Sequence, residues 1–278
     1  MNKKNTVTVA TVTAERLSLP RLHIADGTLE ALKWLGLLLM TGDHVNKYLL
    51  NDSVPLVFDA GRAVMPIFVS VLAFNLARPG TLVRGVYPRT IGRLAVFGAL
   101  ATPAFIALSG LLAGWWPLNI LFTLVVLTAT LFFLERGGKA NRVAACAVAL
   151  LGGSSVEFWW PAILMGVALW FYAKRPTATA LLVAVLACAS LAFINRDFWA
   201  LAALPVIAAA TRIDVRCTRW KWAFYAYYPA HLTALWIIRI PMSHAGYLFF
   251  TLIEDLIHHG RLECQGGCPQ SRDCRRYV

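Results

Sequence analysis

The sequence predicts an all-α fold: a polytopic integral membrane bundle with about nine spanning helices, within a range of about eight to ten. Hydrophobic residues make up 59% of the 278 residues and charged residues 14%, whereas a soluble domain has about 45–50% and about 25%. The mean hydropathy is +0.63. The apolar residues fall into separate blocks, and a helix needs about 20 of them to cross a bilayer. These features are typical of a membrane protein and not of a soluble domain.

Nine apolar blocks define the predicted spans. They cover residues 32–50, 61–77, 94–112, 118–134, 143–151, 158–173, 178–194, 198–210 and 222–240. The blocks at 143–151 and 198–210 are short for a full crossing, so either could be a broken or re-entrant helix buried among the others. Residues 1–28 form a predicted cytoplasmic tail, residues 29–245 the membrane bundle and residues 246–278 a C-terminal tail.

The formal net charge of +12 would suit a nucleic-acid partner, but its distribution points to the membrane. Lys and Arg concentrate in the N-terminal region and in every second loop, which is the pattern of cytoplasmic loops. No basic stripe alternates with aromatic residues that could stack on bases. Residues 1–28 also lack the apolar segment of a cleaved signal peptide. We therefore expect contact with membrane lipid, no nucleic acid, and a cytoplasmic N-terminus.

The first span contains ionisable residues, which are costly in a membrane and are candidates for function. Asp43 and Lys47 lie four residues apart and can pair on one helix face. His44 lies about 16 Å from Lys33 along a helix, which predicts a position in the outer half of the membrane. Two interpretations stay open: a neutralised pair with a packing histidine, or a catalytic group.

Three further positions are candidates for hydrogen bonding to a reacting group. Arg62, at the start of the second span, could reach lipid head groups or hold an oxyanion. Asn119 could serve a site or bond between helices for structure alone. In the last span Tyr228 and His231 share a face across Pro229, which cannot donate a backbone hydrogen bond. The alternative there is an aromatic interface belt with one histidine.

The C-terminal tail contains Cys264, Cys268 and Cys274 after a His258-His259 pair. The spacing does not match a paired C-x-x-C zinc site, so no metal is expected. A disulfide with one cysteine left over, or a disordered tail, remain open.

Several segments, taken in order, resemble the TraX family of conjugative-transfer proteins, which is related to membrane acyltransferases of the acyltransferase-3 type. The similar segments are Leu-Lys-Trp through Asp-His at 32–44, Gly-Arg-x-x-x-Pro-Ile-Phe at 61–68, Arg-Leu at 93–94, residues 119–124, and residues 224–232 with their Tyr-Pro-Ala-His. The resemblance implies acetylation of the N-terminus of a pilin subunit in the bacterial inner membrane, with acetyl-CoA as co-substrate. Other conjugation proteins could be further partners.

A mechanism fits these residues. His44 would act as a base or as a transient acetyl carrier. Asp43 belongs to the same candidate catalytic group, with His231 as a second proton-transfer residue. Candidate donors to the oxyanion are Arg62, Tyr228 and Asn119. Acetyl-CoA carries phosphates, which Arg84, Arg89 and Arg93 could hold from the cytoplasmic side. These arginines would also satisfy the orientation rule without any ligand.

Two other function classes stay open. A non-catalytic assembly factor of a conjugation or type IV secretion apparatus would tolerate the loss of His44 and His231. A transporter often shows internal repeats with paired broken helices, and the two halves of this sequence show no convincing repeat. The sequence also lacks the G-x-x-x-x-G-K-[ST] loop of a P-loop ATPase.

Overall fold

A computed structural model of the protein describes residues 22–108, 111–112 and 114–249. These residues form eleven α-helices: α1 Asp26–Leu49, α2 Pro55–Gly61, α3 Val64–Leu76, α4 Val86–Ala107, α5 Ile120–Arg136, α6 Lys139–Ala147, α7 Trp159–Lys174, α8 Ala178–Ser190, α9 Ala192–Asn195, α10 Ala203–Ala210 and α11 Ala223–His244. A π-helical turn, Val148–Gly152, follows α6, and a 3₁₀ turn, Trp199–Ala202, precedes α10. The predicted all-α class is confirmed.

Six helices form a closed ring in which each packs against the next, in the order α1, α11, α4, α5, α7 and α3. The shorter α2, α6 and α10 pack against α1, α5 and α3, and α8 packs against α7. Close approach is visible where α5 meets α7. A Cβ added at Gly166 would lie 2.4 Å from Leu127 Cδ2, so any larger residue there would require the Leu127 side chain to move.

Three helical stretches are long and apolar enough to cross a membrane: Pro55–Leu76, Val86–Ala107 and Ala178–Asn195. In the most apolar windows of the last two, only 28% of residues are buried inside the protein. An apolar helix surface left uncovered to this extent suits a lipid surrounding. The 24-residue α1 does not qualify by composition, because it carries ionisable residues along its length: Asp26, Glu30, Lys33, Asp43 and Lys47.

Two predicted boundaries were wrong. The second span was predicted to begin at residue 61, but the helical stretch begins at Pro55: α2 covers Pro55–Gly61, and Arg62 and Ala63 separate it from α3. The third span was predicted to begin at residue 94, but α4 begins at Val86. Arg89 and Arg93 therefore lie on a helix and not in a loop. Hydropathy did not show this, because it does not distinguish a charged helical turn at the edge of a span from a loop.

The two short blocks are both irregular in the structure. The first contains the π-helical turn after α6, and the second contains the 3₁₀ turn before α10. The N-terminal tail up to residue 21 and the C-terminal tail from residue 250, with Cys264, Cys268 and Cys274, lie outside the described residues.

Candidate active site

A cavity of about 310 Å³ lies inside one end of the helix ring. We call it the histidine cavity. Its polar and charged lining comes from α1, from the α2–α3 break, from the segment before α7, from α9 and from α11: Asp43, His44, Lys47, Tyr48, Arg62, Glu157, Asn195 and Tyr228. Aromatic and aliphatic side chains complete the wall, so the charged groups share a small volume that is mostly enclosed by protein.

His44 and His231 form a direct pair across the contact between α1 and α11. Nδ1 of His44 lies 2.7 Å from Nε2 of His231, and the two rings are nearly parallel, with centroids 5.0 Å apart. The other nitrogen of His231, Nδ1, lies 2.9 Å from the backbone carbonyl oxygen of Tyr227. Tyr227 also bonds through its hydroxyl to Thr41 at 2.6 Å, which ties α11 to α1 beside the pair.

This chain of bonds determines the tautomers of the neutral pair. A carbonyl oxygen only accepts, so Nδ1 of His231 carries the proton and Nε2 of His231 is left as an acceptor. Nδ1 of His44 must then be the donor. Nε2 of His44 therefore keeps an unprotonated lone pair, and it makes no hydrogen bond to the part of the chain that the structure describes. A free imidazole lone pair beside a cavity can take a proton or attack a carbonyl carbon.

Arg62 and Asp43 form an ion pair in the same cavity. Nη2 of Arg62 donates to Oδ1 of Asp43 at 3.0 Å, and Nε donates to the carbonyl oxygen of Phe58 at 3.2 Å. Asp43 thus pairs with Arg62 and not with Lys47, the same-helix partner that the spacing suggested. A Cβ at Gly61 would lie 2.4 Å from Oδ1 of Asp43, so glycine is required at this position. The remaining N–H groups of Arg62 stay available to an oxyanion.

Of the other two predicted donors, one lines the cavity and one does not. Tyr228 is 4% exposed and packs edge-on against His231 at a centroid distance of 5.5 Å. Asn119 caps α5 by accepting from Leu121 N–H, and its amide nitrogen donates to the Gly98 carbonyl at 2.9 Å. Its side-chain groups are thus used in joining α4 to α5, and the structure does not support Asn119 as an oxyanion donor.

Sequence reasoning missed Glu157, whose side chain lines the histidine cavity. It lies in the segment before α7, which pairs with Leu118 through two backbone hydrogen bonds: Leu118 N–H to Ser155 O at 3.0 Å and Glu157 N–H to Leu118 O at 2.9 Å. A signal was present, because Glu157 is a single carboxylate between apolar residues at the start of a predicted span.

A second cavity, of about 190 Å³, lies further along α1 toward its N-terminal end. We call it the basic cavity, after Lys33, Arg93, Arg219 and Lys221 in its lining. Lys33 donates to Glu30 at 2.5 Å and lies 4.3 Å from the centroid of the Phe224 ring. Met40, Ile120 and Tyr228 line both cavities, so these three buried side chains form the partition between them.

Of the three arginines predicted to bind acetyl-CoA, only Arg93 lines the basic cavity. Arg84 and Arg89 are exposed, and both fold back onto backbone carbonyls of their own segment, at Gly80 and Gly85. The other cations of the cavity come from residues near the ends of α1 and α11, which distant parts of the sequence bring together.

For metal binding, the residues that the structure describes contain no group of three His, Cys, Asp or Glu side chains that could hold an ion.

Comparison with known proteins assigns the chain to a family. The TraX protein family matches residues 28–239, which includes both cavities and all six ring helices except the terminal residues of α1 and α11. No curated protein and no solved structure gave a significant match. Because the family match covers well over half of the chain, and because the apolar helices are those of a membrane protein, this chain is a helical membrane protein that belongs to the TraX family.

Proposed function

We propose that this protein is a membrane-bound N-acetyltransferase that transfers an acetyl group from acetyl-CoA to the N-terminus of a conjugative pilin subunit. The observation that carries the proposal is the His44–His231 pair, which leaves a free imidazole lone pair beside a charged cavity. The family supports the conjugative setting. The protein would lie in the bacterial inner membrane with about nine crossings and a cytoplasmic N-terminus, as the charge pattern of the loops predicts.

The basic cavity is the proposed entry for acetyl-CoA. Its four cations suit the phosphates of the nucleotide end. With the N-terminus in the cytoplasm, this end of α1 faces the compartment that contains acetyl-CoA. The helical rise from Lys33 to His44 is about 16 Å, a length comparable to that of an extended pantetheine arm. The thioester would reach the histidine cavity past the partition of Met40, Ile120 and Tyr228.

The chemical step takes place at His44. The acceptor amine, once neutral, attacks the thioester carbonyl carbon, and Nε2 of His44 removes a proton from the nitrogen of the tetrahedral intermediate. Arg62 and Tyr228 donate to its oxyanion. Collapse breaks the carbon–sulfur bond, and the thiolate of CoA takes the proton from His44. In the alternative route Nε2 of His44 first accepts the acetyl group and then passes it to the amine.

His231 has a positioning role in this scheme. Its bond to the Tyr227 carbonyl sets its own tautomer, and its Nε2 in turn sets the tautomer and the ring direction of His44. When His44 becomes positively charged, His231 can also accept the proton on Nδ1 of His44, which delocalises the charge. Asp43 similarly holds the guanidinium of Arg62 in place.

Intact-mass measurement of the candidate pilin tests the proposal. The subunit is isolated from cells with and without this protein, and a mass difference of one acetyl group, lost when the protein is absent, supports enzymatic function. A pilin of unchanged mass whose assembly nevertheless fails without the protein would favour the assembly factor.

A further inference from the structure

We propose that Glu157 is the acceptor-side residue of this enzyme: its carboxylate binds the α-ammonium group of the incoming chain and removes one proton from it. The inference rests on the proposed function. It separates two tasks: Glu157 removes the first proton from the acceptor ammonium, and His44 acts in the transfer of the acetyl group.

The first support is that Glu157 has no direct ion-pair partner among the described residues that line the histidine cavity. Arg62 is paired with Asp43, whereas Glu157 makes no ion pair with any residue in the described part of the chain. Lys47 lines the same cavity and attracts the Glu157 carboxylate from a distance, but the two side chains do not make the direct contact of an ion pair. The Nζ of Lys47 lies 5.4 Å from the centroid of the Tyr48 ring. A carboxylate enclosed by protein without a direct cation favours a cationic ligand. The proposed reaction supplies one in the ammonium group of the acceptor.

The second support is the rigid placement of Glu157. Its N–H donates to the Leu118 carbonyl at 2.9 Å, and its own carbonyl accepts from the Thr123 hydroxyl at 2.7 Å. The next two residues, Phe158 and Trp159, have φ values of +62° and +43°, a left-handed conformation that is unfavourable for aromatic residues. Such strain persists where the surrounding structure imposes it and is concentrated at functional sites.

The third support is the shape of the cavity around the carboxylate. Trp116, Phe158 and Trp159 line it beside Glu157, with the two tryptophan rings 5.7 Å apart. At about 310 Å³ the cavity is near the lower limit of ligand pockets. It would admit the end of a chain but not a folded loop. An aromatic wall next to a single carboxylate matches an N-terminal residue with an apolar side chain and a charged amine.

The proton balance is complete with these groups. The ammonium gives one proton to Glu157, the neutral amine attacks the acetyl carbonyl, and the second proton passes through His44 to the CoA thiolate. Glu157 then releases its proton to solvent, so the net products are the acetylated amine, CoA thiol and one proton. The other titratable groups that line the cavity are Asp43, His44, Lys47 and Tyr48 of α1, Arg62 of the α2–α3 break and Tyr228 of α11.

The test uses the full-length protein in membranes, acetyl-CoA, and a synthetic peptide with the N-terminal residues of the candidate pilin and a free α-amine. For Glu157→Gln we expect the KM for the peptide to rise about tenfold and the KM for acetyl-CoA to stay unchanged. Raising the pH should restore activity, because the neutral fraction of an amine with a pKa near 8 grows about tenfold per pH unit below that value. The exposed Asp214→Asn is the matched carboxylate control.

The outcomes separate the two proposals. A wild-type protein that does not acetylate the peptide or the pilin overturns the proposed function. An active wild type, with Glu157→Gln equal to it in peptide KM and pH profile, overturns this inference alone, as does a Glu157→Gln protein at normal membrane level that is inactive at every pH. If Glu157→Gln does not accumulate, Glu157→Asp is measured instead: a raised peptide KM supports the inference, and an unchanged one overturns it.

Discussion

The two cavities differ in how their charged groups are held. In the histidine cavity, two of the candidate catalytic side chains are bonded to fixed partners: His44 to His231, and Arg62 to Asp43 and the Phe58 carbonyl. In the basic cavity, Arg93 lies 4.9 Å from the Trp222 ring centroid, and Arg219 is 63% exposed at a distance of 3.6 Å from Glu30. The comparison suggests that one cavity positions atoms for chemistry and the other supplies charge for binding.

The largest effect is expected from His44→Ala, which removes a histidine nitrogen that is free beside the cavity in the described part of the chain. General acid–base catalysis contributes about 10²–10⁴-fold, so kcat should fall by that order or become undetectable. Acetylation is measured by intact mass at equal membrane level of the protein, with the exposed His244→Ala as the control. An active His44→Ala protein would remove His44 from the mechanism.

The next effect concerns the oxyanion. Arg62→Lys keeps the positive charge but loses the planar fork that bonds Asp43 and Phe58 together. Loss of one oxyanion donor costs about 10²–10³-fold in kcat, and we expect a fall of that order without a change in the KM for acetyl-CoA. The exposed Arg142→Lys serves as control. A raised KM at normal kcat would instead make Arg62 a binding residue.

A somewhat smaller effect is expected from His231→Ala, because this residue orients His44 and does not itself line the cavity. A misplacement of the reacting group by about 1 Å can cost about 10²-fold, so we expect kcat to fall by up to this factor. His244→Ala on the same helix is again the control. Full activity in steady-state assays of His231→Ala would show that the pair observed in the structure has no catalytic role.

The smallest effect should come from the basic cavity. The double variant Arg219→Gln/Lys221→Gln removes two exposed cations, each contributing about 1 kcal/mol or less, so the KM for acetyl-CoA should rise by up to about 30-fold at constant kcat. Arg84→Gln/Arg89→Gln is the matched double control, since both side chains are exposed and neither lines the cavity. Added salt should raise the wild-type KM in the same way. A fall in kcat here would remove the proposed difference between the cavities.

The helical class, and several residues that line the histidine cavity, could be predicted from the sequence because they depend on local patterns. Asp43, His44 and Arg62 stand out as polar groups in apolar blocks, and the structure brings all three into one cavity. Asn119 shows the opposite case. An asparagine directly before an apolar helix is a common N-cap, and that local function explains it without any role in catalysis.

The residues that were missed depend on packing between distant segments. Glu157 reaches the cavity because its segment pairs with Leu118, about 40 positions earlier in the chain. In the sequence, Arg219 and Lys221 are two of the charges of a basic loop, and they join Lys33 because α11 packs against α1. No periodicity or spacing in a single segment contains this information.

By itself, the sequence determined that the protein is helical, that it belongs in a membrane and that it carries ionisable groups within its apolar segments. Hydropathy and helical period are local properties, so they can be interpreted without a fold. Only the tertiary structure decided that His44 pairs with His231, that Asp43 pairs with Arg62 and not with Lys47, and that Met40, Ile120 and Tyr228 separate two cavities. These contacts join different helices, and their distances follow from how the ring of helices closes.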